Sequence, residues 1–194
     1  MPELLDVLDE KGNRTGKIIT RGQMLKEGEY IATVLVFLCN QKREYLIQKR
    51  SMKKAHLPGI WDVTAGVVIS GEESHDAAIR EVQEEIGIAL IRENIIFQQR
   101  LKRAKAFVDL YFALAEFEIS DCRLQEEEVD EVRFVTAREL KQLITGAEYW
   151  DKEYRNIVCA AIERMELYRI DDAGVKLWKD ASAAERAEKG GIGE

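Results

Sequence analysis

Aliphatic runs alternate with short polar segments along this chain, and the runs have the length of strands. The run at 31–39 is almost entirely apolar, which is typical of a strand buried on both faces. The polar turn at 40–43 separates it from a return strand, and the turn at 11–13 predicts a hairpin. Strands are predicted at 4–8, 17–19, 31–39, 45–49, 95–101, 107–118 and 133–135, with one or two short ones within 61–69.

Other segments have apolar residues at helical spacing. A helix at 137–144 is preceded by Thr136, with Glu139 three residues later, the arrangement of a capping box. The segment 150–168 predicts a longer amphipathic helix, and 21–26 predicts a single helical turn. Strands interleaved with helices predict the α/β class, with helices on both faces of a mixed sheet.

The helix predicted from His75 to Ile86 has two different faces. Each residue turns it by ~100°. An apolar arc is therefore formed by Ala78, Ile79, Val82 and Ile86, and the neighbouring face carries Glu81, Glu84 and Glu85. Either Ser74 caps this helix, or Ser70 and Glu73 form a capping box.

Composition indicates a single domain with an appendage. The 194 residues are 46% hydrophobic, which is ample for one core. Without an apolar run of 18 residues, we expect no membrane span, and the acidic start at 1–3 is unlike a secretory signal. The three cysteines lack a CxxC pair and predict reduced thiols in a cytoplasmic protein: Cys39, Cys122 and Cys159.

Net charge argues against one class of partner. The chain carries a formal charge of −7, whereas a nucleic-acid polymer is bound by a basic surface. A small phosphorylated ligand remains compatible, since a bound divalent cation reverses the local sign.

The acidic face also suggests a cation. Like charges at i, i+3 and i+4 repel by a few tenths of a kcal/mol per pair. A bound positive charge would relieve this repulsion, and clustered carboxylates are the hard ligands that Mg²⁺ or Mn²⁺ prefers. We therefore interpret Glu81, Glu84 and Glu85 as metal ligands.

Residues 66–88 resemble the signature of a known family. They match G-x5-E-x7-R-E-U-x-E-E-x-G-U, the Nudix box, where U is a bulky aliphatic residue. All nine specified positions agree, and the probability of an accidental match in a chain of this length is on the order of 10⁻⁸. The wider resemblance covers roughly 31–165 and implies the Nudix α/β/α sandwich.

The resemblance also implies roles for individual residues. It adds the carbonyl of Gly66 to the metal ligands and places Glu72 before the helix, which favours Ser74 as the cap. Arg80 cannot bind a cation and is expected to hold carboxylates, with Glu72 as its ionic partner. Gly87 is the expected helix stop.

The general base and the phosphate-binding cations are less defined. Glu81 is one candidate base; Glu127 or Glu128, in an acidic loop after the box, could supply another acid, although such runs are usually just solvated. Arg50 and Lys54 could clamp a phosphate, or could simply favour solubility.

A second resemblance is more specific. Residues 46–61 and 4–9 are similar to the branch of the superfamily that contains isopentenyl-diphosphate isomerase. Those isomerases use a cysteine before the box glycine and a histidine after it, where this chain has Ala65 and Val67, and no histidine precedes His56. The resemblance therefore implies a hydrolase within an isomerase-like frame.

The expected activity is Mg²⁺-dependent hydrolysis of a diphosphate bond in a nucleoside diphosphate derivative. The alternatives are an isomerase and a catalytically silent nucleotide-binding module, although no box acid is lost. We expect a hairpin extension at 1–29, a Nudix domain at 30–170 and a tail at 171–194, with a frayed helix and disorder from Asp180. The hairpin or the long C-terminal helix could support a homodimer.

Overall fold

A computed structural model describes residues 2–171 and 174–177. The strands in this part are β1 (Leu4–Leu8), β2 (Arg14–Thr20), β3 (Ile31–Cys39), β4 (Glu44–Arg50), β5 (Trp61–Asp62), β6 (Thr64–Val67), β7 (Ile95–Lys102), β8 (Ala106–Leu114), β9 (Val129–Thr136), β10 (Tyr168–Asp171) and β11 (Gly174–Leu177). The α-helices are α1 (Ser74–Ile86), α2 (Ala137–Gly146) and α3 (Lys152–Met165).

The central sheet is mixed, as predicted. Its main order is β5-β4-β3-β8-β7, with β6 also paired to β3 and β9 to β4. β3 and β8 run parallel over their whole length, whereas the other pairs are antiparallel. β4 pairs with β3 only at Cys39 and Tyr45, because β6 pairs with residues 33–36 on that edge of β3.

Alternation along β3 supplies both faces of the sheet. Since successive side chains of a strand point to opposite sides, Leu35 and Phe37 enter one hydrophobic core while Val34 and Val36 enter the other. The first core contains residues of α2 and α3, and the second contains residues of α1. This arrangement is the expected α/β/α sandwich.

The apolar arc of α1 packs as its periodicity predicts. Ala78, Val82 and Ile86 are completely buried against the sheet. The helix ends at Gly87, which adopts a left-handed φ of 75° and donates its N–H to the carbonyl of Gln83. A side chain at Gly87 would also be strained by the backbone conformation, which explains a glycine at this stop.

The predicted cap of α2 is confirmed, and that of α1 is wrong. Thr136 accepts from the N–H of Glu139, whose carboxylate accepts from the N–H of Thr136. In α1, by contrast, Glu73 is the N-cap residue without a side-chain cap, and Ser74 is already helical. The Ser74 hydroxyl instead pairs with the Tyr111 hydroxyl at 2.7 Å.

The helical turn predicted at 21–26 does not form. Gly22 has a φ of 90°, which no right-handed helix contains. The N–H of Lys26 donates to the side chain of Glu29, so the local hydrogen bonds form turns rather than a helix.

Two predicted segments are shorter than expected. The helix at 150–168 begins only after Asp151, which accepts from the N–H of Tyr154 and so acts as N-cap. The strand at 107–118 ends at Leu114, and residues 119–121 form a short 3₁₀ turn. The strands predicted at 4–8 and 31–39 are present with these bounds, and other predicted strands extend further, notably β9.

The predicted N-terminal hairpin forms and packs on the domain. β1 and β2 pair antiparallel, and Leu5, Val7 and Ile19 are buried with Val67 of β6. At the other end, β10 and β11 pair across residues 168–177. The frayed helix and disorder expected from Asp180 lie outside the described residues. None of the described helices is both long and apolar enough for a membrane crossing.

Candidate active site

Gly66 of β6 packs directly against α1, the helix that carries the Nudix-box acids. Gly66 lies in β6 opposite Val34 of β3. A Cβ atom added to Gly66 would come within 1.9 Å of the Glu81 carboxylate carbon. The absence of a side chain therefore lets the Glu81 carboxylate lie directly against the β6 backbone.

Arg80 is the central donor of the acidic cluster. Its Nε and Nη2 donate to the two carboxylate oxygens of Glu72 at 2.9 and 3.0 Å. Nη1 donates to Glu81 at 2.8 Å and to Glu84 at 2.9 Å, and Nη2 also donates to the carbonyl of Val67 at 2.9 Å. Desolvation lowers the pKa of Arg80, but these carboxylates more than offset it and the net shift is upward.

The acids of this cluster differ in their environment. Glu81 is buried, whereas the side chain of Glu84 is about half exposed. Burial raises the pKa of Glu81, although the positive charge of Arg80 acts in the opposite direction. One face of the helix therefore presents a desolvated carboxylate beside one that solvent reaches.

Glu85 is the most enclosed acid of the helix. It is 4% exposed and accepts from the side-chain amide of Gln48 at 2.6 Å. The oxygen of that amide accepts from the Thr64 hydroxyl at 3.0 Å, which fixes the amide orientation. Burial raises the pKa of Glu85 to about 8, with the neighbouring carboxylates of Glu81 and Glu128 acting in the same direction.

The predicted phosphate-binding lysine is neutralised by the predicted extra acid. Lys54 forms an ion pair with Glu128, and both side chains are partly buried. Glu127 points away into solvent, where its exposed carboxylate pairs with Lys53 at 3.3 Å. Of these two loop acids, Glu128 is thus the one near the box helix.

Arg50 is the last residue of β4 and is close to both Glu85 and Asp62. Its guanidinium donates to the carbonyl of His56 at 3.3 and 3.4 Å. Its charge is close enough to lower the pKa of both Glu85 and Asp62, against the stronger effect of burial. Arg50 therefore adds positive charge beside the acids, and its guanidinium has no carboxylate hydrogen-bond partner among the described residues.

The structure brings the box acids together around Arg80 rather than around a common point. Glu81 and Glu84 share its Nη1, while Glu85 is turned toward Gln48. Among the described residues, no three His, Cys, Asp or Glu side chains converge as metal ligands. Binding a cation would thus require these carboxylates to exchange partners.

Sequence reasoning missed Gln48 and Asp62. Gln48 is 3% exposed although it is polar, and a polar residue directly after the apolar segment 45–47 is the signal that could have identified it. Asp62 is the β-sheet partner of Gln48 and accepts from the Tyr149 hydroxyl at 3.4 Å. No sequence spacing connects positions 62 and 149.

Comparison with known proteins identifies the family. The NUDIX domain model matches residues 29–157, which include the whole acidic cluster. The chain therefore belongs to the Nudix family, and it is a Nudix hydrolase, in the class of enzymes that act on acid anhydrides.

Individual relatives agree with this assignment. The chain is 39% identical over 145 residues to lmo0368 of Listeria monocytogenes, an uncharacterised Nudix hydrolase, with coverage of 74% of this chain and 86% of that protein. The crystal structure of DR0079 from Deinococcus radiodurans superimposes with a TM-score of 0.66 and 21% identity, covering 82% of this chain and 99% of that one. This second likeness concerns the fold.

The isomerase resemblance is also found. An isopentenyl-diphosphate Δ-isomerase of Streptomyces avermitilis is 29% identical over 148 residues, which cover 72% of this chain and 74% of that enzyme. At the positions flanking Gly66, this chain has Ala65 and Val67, neither of which can transfer a proton.

Proposed function

We propose that this protein hydrolyses a diphosphate bond in a nucleoside diphosphate derivative, with Mg²⁺ or Mn²⁺ as cofactor. The observation that carries the proposal is the cluster on α1, where Glu81 lies against Gly66 and both Glu81 and Glu84 are held by Arg80, with Glu85 on the same helix. A diphosphate repels an attacking oxygen, so hydrolysis needs positive charge beside the phosphorus and a base for water.

The donor set fits a hard divalent cation. The residues that would hold it are Glu81, Glu84, Glu85 and the carbonyl of Gly66, all of which supply oxygen. The cradle formed by Gly66 supports this choice, because it brings backbone and the Glu81 carboxylate closer than any other residue would permit. When bound, Mg²⁺ neutralises phosphate charge and lowers the pKa of water.

Arg80 positions the acids in this proposal. It joins the loop residue Glu72 to the helix residues Glu81 and Glu84. The carboxylates of Glu81 and Glu84 are therefore held close together before a cation binds. The proton of the attacking water would go to a carboxylate of the cluster. Glu81 is the candidate on the helix, and Glu128 is the candidate on the loop because it influences the pKa of Glu85.

Arg50 and Lys54 would bind the phosphates. Within the described part of the chain, the guanidinium of Arg50 donates only to the carbonyl of His56, and bidentate binding of a phosphate would replace these long contacts. Lys54 would have to leave Glu128. Glu127 is exposed and pairs with Lys53, so it has no role in this arrangement.

The proposed partner is a small molecule, and the proposed compartment is the cytoplasm. The acidic net charge and the three free cysteines support this choice. A homodimer remains a prediction, for which sedimentation of the purified protein is the direct measurement.

A substrate panel tests the function. Nucleoside diphosphates, nucleoside triphosphates, sugar nucleotides and dinucleotides are incubated with Mg²⁺ or Mn²⁺, and the products are identified by mass. We expect cleavage between two phosphorus atoms. Glu84→Gln should reduce kcat sharply and leave the fold intact, because this side chain is about half exposed.

The alternatives are distinguished by adding isopentenyl diphosphate to the panel and following its conversion by proton NMR, because its allylic isomer has the same mass. Conversion of isopentenyl diphosphate to its allylic isomer without release of phosphate would overturn the hydrolase proposal in favour of an isomerase. Nucleotide binding without any product would instead indicate a silent binding module. Full turnover of Glu84→Gln with Mg²⁺ would contradict the ligand assignment.

A further inference from the structure

A cavity of about 290 Å³ lies beside the box glycine. Its volume is close to the lower end of typical ligand pockets, which suits one ring system rather than a whole nucleotide. Gly66 lines it from β6. Trp150, just before α3, and Tyr154, in the first turn of α3, line it from the helical side. The residues that line this cavity include Arg21, Asp62, Gly66, Trp150 and Tyr154.

The aromatic wall of this cavity is fixed. The rings of Trp150 and Tyr154 are in edge-to-face contact, with centroids 4.8 Å apart. Tyr154 is also covered by the guanidinium of Arg103, 4.1 Å from its centroid. A partly exposed indole held by such neighbours is a flat surface that need not reorganise when another ring packs on it.

Asp62 supplies a hydrogen-bond acceptor to the same cavity. One of its oxygens accepts from the N–H of Val63 at 2.8 Å, and the other has a long contact of 3.4 Å with the Tyr149 hydroxyl. A carboxylate has about four acceptor positions. Acceptor capacity therefore remains for an N–H donor of a ligand.

The cavity adjoins the acid cluster at Gly66. Gly66 lines the cavity and also contacts the Glu81 carboxylate. Arg21, from the end of the N-terminal hairpin, lines it as well and pairs with Glu3 at 2.6 Å. This pair is exposed on both sides, so Arg21 can exchange Glu3 for a phosphate at little cost.

We propose that this cavity binds the nucleobase of the substrate, with the ring against Trp150 and an amino group of the base donating to Asp62. The proposal rests on the function proposed above and specifies its substrate class as nucleotides with an amino-substituted base. Arg21, which lines the same cavity, would contact the phosphate next to the ribose.

Nucleoside monophosphates test the cavity without any hydrolysis, because they lack a diphosphate bond. CMP with UMP and AMP with IMP are matched pairs in which an amino group replaces an oxo group. Ribose 5-phosphate lacks the base altogether. Affinities are measured by calorimetry for the full-length protein with Mg²⁺ present.

We expect CMP or AMP to bind at least 10-fold more tightly than ribose 5-phosphate, and about 5–10-fold more tightly than its oxo partner. Asp62→Asn should abolish or reverse the preference for the amino group, since an amide can donate to an oxo group. Trp150→Leu should weaken the binding of nucleotides by roughly 10-fold and leave the affinity for ribose 5-phosphate unchanged.

Trp61→Leu is the matched control. Trp61 is also partly buried and stacks on Arg133, but it is not among the residues lining the cavity. This variant should bind all ligands like the wild type. Unchanged binding of ribose 5-phosphate by Trp150→Leu would show that this variant is folded. If Trp150→Leu does not fold, Asp62→Asn still tests the cavity independently.

Equal affinity for ribose 5-phosphate and the nucleotides would overturn the cavity assignment, as would a wild-type amino preference in Asp62→Asn. Failure of the proposed hydrolase function gives a different set of results from failure of the cavity assignment. Base preference without cleavage of any diphosphate leaves the cavity assigned and rejects the hydrolase function. Cleavage of base-free and nucleoside diphosphates with equal kcat/KM rejects the cavity and retains the hydrolase.

Discussion

Arg80 and Glu72 form a planar pair with two parallel hydrogen bonds of 2.9 and 3.0 Å. Glu72 precedes α1 and Arg80 lies on it, so the pair fastens the loop to the helix. The remaining terminal nitrogen, Nη1, donates to Glu81 and Glu84. One side chain thus sets the position of two proposed metal ligands.

Replacing Arg80 by lysine tests this positioning role. A lysine ammonium keeps the charge but cannot donate in parallel to both oxygens of Glu72. We expect Arg80→Lys to lower kcat by about 10–100-fold at saturating Mg²⁺. Arg92→Lys, at an exposed arginine that pairs with Asp76 of the same helix, is the control and should have normal kinetics. A kcat within twofold of wild type in Arg80→Lys would contradict the role.

Gly66→Ala tests the close approach of β6 to the helix. The added Cβ would overlap the Glu81 carboxylate, so either the strand or the carboxylate must move. We expect a loss of about 1–3 kcal/mol in the free energy of unfolding, with kcat reduced by roughly 100-fold. Urea denaturation and steady-state kinetics measure the two effects.

Gly146→Ala is the matched control for this substitution. Gly146 ends α2, and a Cβ added there meets no atom within 4 Å. The control should be neutral or slightly stabilising, by up to about 1 kcal/mol. Normal activity of Gly66→Ala would show that Glu81 does not need its present position.

Thr136→Ala tests the cap of α2 apart from catalysis. The Thr136 hydroxyl accepts from the N–H of Glu139 and lies on the face of the sheet opposite α1. We expect a loss of about 1 kcal/mol in the free energy of unfolding, with kcat unchanged. Thr145→Ala should cost less, because the Thr145 hydroxyl donates to a carbonyl within α2 and has only a long contact of 3.9 Å with the Cys159 thiol. Equal stability of both variants would reject the capping contribution.

Asp62 should make stability depend on pH. Desolvation raises its pKa from 3.8 to about 6, although Arg50 and the Tyr149 hydroxyl act in the opposite direction. Below about pH 4 both the native and the unfolded carboxyl are protonated. Between pH 4 and 6 the unfolded chain releases this proton first, so stability falls as pH rises and then becomes constant above the native pKa.

Asp62→Asn removes that dependence. Its free energy of unfolding, relative to wild type, should increase between pH 4 and 6 by on the order of 1–2 kcal/mol, less than the full shift because Asp62 is partly exposed. Chemical denaturation at several pH values measures the difference. A constant difference across this range would contradict a raised pKa of Asp62.

Much of the fold was accessible from periodicity. The strand at 31–39 and the helix at 137–144 were predictable because burial and local capping act within a few residues. The wrong cap at Ser74 has a different cause. Tyr111, which is 37 residues away, competes for its hydroxyl, and sequence spacing does not reveal such a tertiary partner.

The site was predictable only as far as its motif extends. The box identified the acids and Arg80, because their spacing along one helix is fixed. Gln48 and Asp62 reach Glu85 and the cavity only through the pairing of β4 with β5. The ion pair of Lys54 with Glu128 likewise depends on two loops that the sequence separates by 74 residues.

Direct measurement of cation binding tests the central claim. Mn²⁺ is titrated into the metal-free protein, and the free ion is followed by electron paramagnetic resonance. Glu163→Gln, at an exposed acid of α3, serves as control. We predict binding by the wild type and this control, and at least 10-fold weaker binding by Glu81→Gln and Glu85→Gln. Wild-type affinity in both of these box variants would contradict the claim that this helix holds the metal.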